Sequence, residues 1–211
     1  PWLGGLEATC EDCMALMARY PDKHFDLAIV DPPYGIGASE MQMGKGKNKQ
    51  WEKGKGWDGK PPKMEYFDEL WRVSARQIIW GGNYFPLPAI GGWIFWDKAR
   101  DKDVSFADGE LAWTNFLTTL KKITVRYDGF IGADPERIHP TQKPVALYRA
   151  LLENYAKPGQ RILDTHLGSG SHAIAAHYFG AHLTACEIDP DYYAAAMARI
   201  KRETAQTTLF T

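Results

Sequence analysis

The 211 residues are 45% hydrophobic and 24% charged, with a formal net charge of -1. This is ordinary globular composition with apolar material for one sizeable core. No run of about 18 apolar residues exists, so no membrane span is expected. Pro1-Trp2-Leu3-Gly4-Gly5 lacks a basic segment followed by an apolar one, so no secretion signal is expected and the location implied is the cytoplasm. Cys10, Cys13 and Cys186 cannot form a disulfide framework. Cys10 and Cys13 have CxxC spacing without a second pair or a His cluster, which points to free thiols rather than zinc.

In chain order, a helical pattern over 11–20 precedes an apolar strand over 25–30. That strand delivers Asp31 to its carboxyl end, where open α/β sheets place their active sites. Pro32 and Pro33 fix φ and remove two backbone donors, leaving a stiff turn that presents carbonyl oxygens. A carboxylate and a proline carbonyl can accept both hydrogens of an exocyclic amino group, and Tyr34 beside them can stack on the base that bears it.

The stretch 36–63 is rich in Gly, Lys and polar residues, and a long loop of that kind in a compact domain is usually functional. Residues 44–63 hold seven lysines against Glu52 and Asp58, a local charge of +5 that leaves -6 for the rest. One concentrated basic segment suits a polyanion, with Lys45, Lys47, Lys49, Lys53 and Lys55 as the side chains that would contact it. Trp51 and Trp57 among them are candidate wedges, although such residues more often serve packing.

A helix over 64–75 leads to strands over 77–80 and 92–96, whose tryptophans read as core or pocket wall. Residues 98–140 break the alternation and predict an antiparallel excursion around a strand over 122–127. A helix over 144–156, a strand over 160–164, a helix over 170–179, a strand over 182–187 and a helix over 190–203 follow. Strands alternating with helices predict an α/β fold with a mostly parallel sheet.

The strand over 160–164 ends in Asp164, and Gly168-Ser169-Gly170 opens the next helix, a turn that lets backbone approach a ligand closely. Glu187, 23 residues after Asp164, ends the following strand and suits a bidentate grip on the two hydroxyls of a ribose. Ile188 can lie against the adenine. Only two glycines are present where the dinucleotide fingerprint has three, and no phosphate-loop GK[ST] occurs, so an adenosine ligand other than NAD or ATP is favoured. The six histidines show no HxxxH or HExxH spacing. His172, His177 and His182 read as cover for the cofactor helix rather than as metal ligands.

Asp31-Pro32-Pro33-Tyr34 resembles the DPPY motif of amino-group DNA methyltransferases. Its place ahead of the Asp164–Gly170 loop is similar to the circularly permuted, β-class motif order. His139-Pro-Thr-Gln-Lys-Pro144 matches the segment that precedes the cofactor strand in that class. Asp12 stands at the position that contacts the cofactor adenine, and the Glu187–Tyr193 tail resembles the closing helix. The resemblance covers 10–35, 77–98 and 137–202. It departs at Thr165-His166, where Pro-Phe is common, and at Glu11, where Gly is usual; the DTHLGSGS form is similar to phage-type members.

What the resemblance implies is a single Rossmann-like methyltransferase domain over 1–211. Its reaction would be base flipping and methyl transfer from S-adenosylmethionine to adenine N6 in double-stranded DNA, in a bacterial or phage-infected cell. Asp31, Pro32, Pro33 and Tyr34 would be catalytic. Asp12, Asp31, Thr141, Lys143, Asp164, His166, Gly168, Ser169, Gly170, Glu187 and Ile188 would face the cofactor, with Thr141 and Lys143 toward its carboxylate and no metal. Target specificity would fall to a short site, to 36–63 with 98–137, or to a second subunit of a homodimer. N4-cytosine methylation is the nearest alternative, and Asp rather than Ser at position 31 favours adenine. Methylation of a protein glutamine or RNA, and a catalytically inactive DNA-binding subunit, are the other readings.

Overall fold

The computed structural model describes residues 5–36, 60–89, 92–100, 107–127, 138–139 and 141–205. Strand β1 (Leu6–Cys10) and the short helix α1 (Cys13–Met17) lead into β2 (Phe25–Val30). Helix α2 (Met64–Val73) passes without a loop into β3 (Ser74–Trp80), followed by a 3-10 turn over Gly82–Tyr84. Strands β4 (Trp93–Asp97), β5 (Gly109–Thr114) and β6 (Leu120–Thr124) come next. The chain closes with α3 (Val145–Tyr155), β7 (Arg161–Asp164), α4 (Ser171–Phe179), β8 (His182–Glu187) and α5 (Pro190–Ala205).

The strands form one sheet in the order β1-β8-β7-β2-β3-β5-β4-β6. From β1 to β3 every pairing is parallel; β5 is antiparallel to both β3 and β4, and β6 returns parallel to β4. The expected antiparallel excursion is therefore present, and it consists of β5 inserted between β3 and β4.

β2 is apolar almost throughout because both of its faces are covered. Leu27 and Ile29 enter one core cluster with α3, α4 and α5, whereas Ala28 and Val30 enter the other with α1 and α2. On α2, Tyr66, Phe67, Leu70 and Val73 are buried, one stripe at helical spacing. Each such side chain contributes about 1.5–3 kcal/mol on burial, which outweighs the weak helix preference of the aromatics. α4 is instead buried from Ser171 to Ala176, so small alanines let it lie tightly between α3 and the sheet.

Several boundaries differ from the sequence reading. The helix expected over 64–75 ends at Val73, and the strand expected over 77–80 begins at Ser74. The helix expected over 11–20 is regular only from Cys13 to Met17, after which Arg19 and Tyr20 turn back onto the carbonyls of Leu16 and Met17. The strand expected over 122–127 starts earlier and ends at Thr124, although Val125 and Tyr127 still donate to the Asp97 and Lys98 carbonyls.

β7 and β2 are neighbours whose crossovers leave in opposite directions, through α4 to β8 and through α2 to β3. Such a switch point opens a crevice at the carboxyl ends of the strands. Asp164 and Asp31 stand at those two ends.

Candidate active site

Asp31 leaves β2 into the Pro32-Pro33 turn, and the turn brings Tyr34 back so that its hydroxyl donates to Asp31 Oδ1 at 2.7 Å. The Tyr34 ring stacks on Tyr84, with centroids 5.1 Å apart and planes 16° from parallel, and meets Phe85 edge-on. Gly81, at the end of β3, makes room for that ring.

A chain of alternating charges lies under this turn. Lys143 Nζ is 2.6 Å from Asp31 Oδ2 and 3.1 Å from Glu110 Oε2, and Lys98 Nζ is 2.7 Å from Glu110 Oε1. Lys143 is 5% exposed, with Trp80 beneath its ammonium at 5.3 Å. Burial pushes the Asp31 carboxyl above its ordinary range, and Lys143 opposes this. Burial acts the same way on Glu110, but Lys143 and Lys98 together outweigh it and hold that carboxyl at about 2. Burial also penalises the Lys143 ammonium, yet the two carboxylates keep it above the usual lysine range.

Across the switch point, Asp164 Oδ1 accepts from the backbone N–H of His166 at 3.0 Å and Oδ2 from His172 Nδ1 at 2.9 Å. Both side chains are buried, and the His172 ring stacks on Tyr148 at 4.7 Å. Burial drives His166 down to about 4, so its imidazole is neutral at physiological pH. Glu187 accepts from the N–H groups of Gly168 (2.9 Å) and Asp189 (3.0 Å), while burial raises its carboxyl. Asp12 caps α1 by accepting from the N–H of Met14 at 2.8 Å. Thr141 Oγ1 meets His139 Nδ1 at 3.1 Å, and the Ser169 carbonyl accepts from the buried Arg199 guanidinium at 2.8 Å. Glu11 is engaged by Arg19 at 2.5 Å. Ile188 is 63% exposed beside these groups.

Ten of the residues singled out in the sequence line one cavity of about 330 Å³: Asp12, Asp31, Pro33, Thr141, Lys143, His166, Gly168, Ser169, Glu187 and Ile188. Pro32, Tyr34, Asp164 and Gly170 do not line it. Tyr34 and Asp164 reach lining groups through the bonds above, and Gly170 starts α4 in the left-handed region. Lys143, expected to face the cofactor carboxylate, lines the cavity with its ammonium engaged by two protein carboxylates. Lys45, Lys47, Lys49, Lys53, Lys55, Trp51 and Trp57 lie outside the described residues. Among the described residues no group of three His, Cys, Asp or Glu could hold a metal ion, and no helix is long and apolar enough to cross a membrane.

Glu110, Lys98, His172 and Tyr148 were not selected from the sequence as site residues. Glu110 and Lys98 fall in the irregular middle of the chain, where no motif marks them. His172 carried a faint signal: a histidine eight residues after Asp164, in the first turn of the helix that the glycine loop opens.

The sequence pattern of the DNA methylase family that groups N6 and N4 enzymes matches residues 41–198. The chain belongs to the N6/N4 DNA methylase family. The Escherichia coli (strain K12) protein that carries the name methylase YubD is 27% identical over 214 residues, covering 90% of this chain and 87% of its own. Type II methyltransferase M.HpaI of Haemophilus parainfluenzae is 22% identical, over 92% of this chain and 74% of its own. Among solved structures, the complex of M1.HpyAVI with SAM superposes with a TM-score of 0.63 at 16% identity, covering 92% of this chain and 98% of that one. The cytosine-N4-specific PvuII DNA methyltransferase superposes at 0.59 and 11% identity, covering 96% and 94%. The methylase fold, an α/β sheet that is mostly parallel, is thus shared with these neighbours, one of which is named as cytosine-N4-specific.

Proposed function

We propose that this DNA methylase transfers a methyl group from S-adenosylmethionine to the N6 amino group of an adenine in double-stranded DNA, as a β-class, phage-type member of its family. The observation that carries the reading is the junction of two half-sites in one cavity. Asp31 with its Pro-Pro-Tyr turn stands at the end of β2, and the Asp164–Gly170 loop with Glu187 stands at the ends of β7 and β8.

The residues present fit the cofactor. A volume of about 330 Å³ is that of a small-ligand pocket. A Cβ built on Gly168 would meet no atom nearer than 3.8 Å, so the loop leaves open space against its backbone. His172 lines the cavity, and its buried Nε2 has no partner among the described residues, a position that suits a polar ligand. Glu187 has lone pairs beyond its two backbone bonds with which to accept ribose hydroxyls, exposed Ile188 offers an apolar face to the adenine, and Asp12 and Thr141 line the same cavity. When bound, S-adenosylmethionine supplies an electrophilic methyl group whose bond to sulfur breaks as the bond to nitrogen forms.

A paired adenine does not present its amino group to a donor, so the base must be flipped out of the helix. Tyr34 then stacks on it. Asp31 and the Pro32 carbonyl accept the N6 hydrogens and aim the nitrogen lone pair at the methyl carbon; holding the reactants in line supplies most of the acceleration. The Asp31 carboxylate also stabilises the positive charge that develops on nitrogen before a proton leaves. The lysines of 45–55 provide the charge to hold the phosphate backbone. Incubation with labelled cofactor and DNA of mixed sequence, then nucleoside analysis, tests the proposal: N6-methyladenine is expected, and N4-methylcytosine alone would overturn it.

A further inference from the structure

Lys143 is largely withdrawn from solvent in the wall of the cavity. It is 5% exposed and placed over Trp80 at 5.3 Å. An ammonium has three donors, and three oxygens surround this one: Asp31 Oδ2 at 2.6 Å, Glu110 Oε2 at 3.1 Å and the Tyr34 hydroxyl at 3.4 Å. A cofactor carboxylate would have to displace one of these. Among the described residues the opposite oxygen of Asp31, Oδ1, carries only the Tyr34 hydroxyl, a bond that a base stacked on the ring would replace.

We propose that Lys143 is a positioning residue of the methyl-transfer site, which orients Asp31 through Oδ2 and leaves Oδ1 for the amino group of the base, while Glu110 and Lys98 balance its charge. The inference rests on the reading of Asp31 as the group that holds the base. A lysine is suited to this task because it is a point charge that can take one carboxylate oxygen. The planar fork of an arginine would take both. Glu110 is required for a second reason. An unbalanced ammonium beside Asp31 would drain its capacity as an acceptor, whereas Asp31, Lys143, Glu110 and Lys98 form an alternating row with zero net charge. Among the described residues, the ionisable groups facing Asp31 are Lys143 from the loop before α3, Tyr148 from α3 itself, Glu110 from β5 and Tyr34 from Asp31's own turn.

The test is the carbon-13 titration of the Asp31 carboxyl in the protein without cofactor, assigned by difference from Asp31→Asn. In Lys143→Met the midpoint moves up by roughly 1 to 3 pH units, the usual effect of losing a close opposite charge. In Glu110→Gln it moves down, because a repelling anion is gone. Lys143→Arg keeps the midpoint near that of wild type but slows single-turnover methyl transfer by about ten-fold, the worth of one hydrogen bond to a charged group. S-adenosylmethionine affinity stays within about two-fold in all three. An unmoved Asp31 titration in Lys143→Met overturns the proposal, as does a ten-fold loss of cofactor affinity with turnover unchanged. Should Lys143→Met not fold, Glu110→Gln and Lys143→Arg decide by the same readouts. A wild-type protein that methylates no adenine sinks the proposed function instead, and the titration still judges the role of Lys143.

Discussion

Gly81→Ala should injure the catalytic turn through a clash that can be worked from the geometry. Gly81 has φ +66°, and a Cβ there would fall 2.5 Å from Cζ and 2.6 Å from Cδ1 of Tyr34. The left-handed backbone alone costs a residue with a Cβ about 1–2 kcal/mol. Relief of the clash requires the ring to move by roughly 1 Å, since carbons rest about 3.5–4.0 Å apart. That shift breaks the 2.7 Å bond to Asp31, a further loss of about 1 kcal/mol. The sum is a destabilisation of about 2–3 kcal/mol. Gly159→Ala is the control: φ is +80° but nothing lies within 4 Å of its Cβ, so only the backbone cost remains. Urea unfolding of both variants, with single-turnover methyl transfer beside it, measures the difference. Gly81→Ala should unfold at lower urea than Gly159→Ala and lose most of its turnover, with cofactor affinity kept. Equal stability of the two variants with wild-type turnover would refute the reasoning.

Glu187→Ala removes the acceptor proposed for the ribose hydroxyls and the partner of two backbone N–H groups. Calorimetry should show S-adenosylmethionine binding weakened by roughly 1.5–3 kcal/mol, ten-fold or more; unchanged affinity would reduce Glu187 to a loop brace. His166 is held at about 4, below the ordinary 6.5 of histidine, so the unfolded chain takes up the proton first. Its contribution is therefore intact above pH 6.5 and lost as pH falls toward 4, on the order of 3 kcal/mol across that window. His166→Asn should flatten the pH dependence of the urea midpoint between pH 4 and 6.5, and an unchanged slope would contradict this. Replacement of Lys45, Lys47, Lys49, Lys53 and Lys55 by Gln should flatten the salt dependence of DNA binding by several units of slope, at about 0.9 per phosphate contact. S-adenosylmethionine affinity should not move, and a wild-type slope would place the DNA contacts elsewhere.

The half of the fold built from β2, β7, β8 and their helices was legible because each strand is an apolar run bounded by turn residues. β1 and β5 were not. Leu6 is the sole buried residue of β1, an edge strand that exists through its pairing with β8 at the far end of the chain. β5 opens with Gly109 and Glu110, and neither looks like strand until β3 and β4 close on both sides. The same distinction governs the site. Asp31-Pro-Pro-Tyr34 and Asp164–Gly170 are local, because each is a strand end with its turn. The Lys143–Glu110–Lys98 row is assembled from three loops and strand ends that only tertiary pairing brings together, so a lone lysine in Gln142-Lys143-Pro144 could not reveal its partners. His172 is intermediate: its spacing from Asp164 was visible, but its bond to that carboxylate depends on how α4 leaves the loop.

Asp31 is proposed to hold the target base rather than the cofactor. Wild type and Asp31→Ala should be incubated in parallel with labelled S-adenosylmethionine and duplex DNA, with the nucleosides identified and cofactor affinity measured on the same preparations. N6-methyladenine from wild type, none from Asp31→Ala, and cofactor affinities within a few-fold of each other are the predicted result. Cofactor binding lost in step with methylation, or N4-methylcytosine as the sole product, would contradict it.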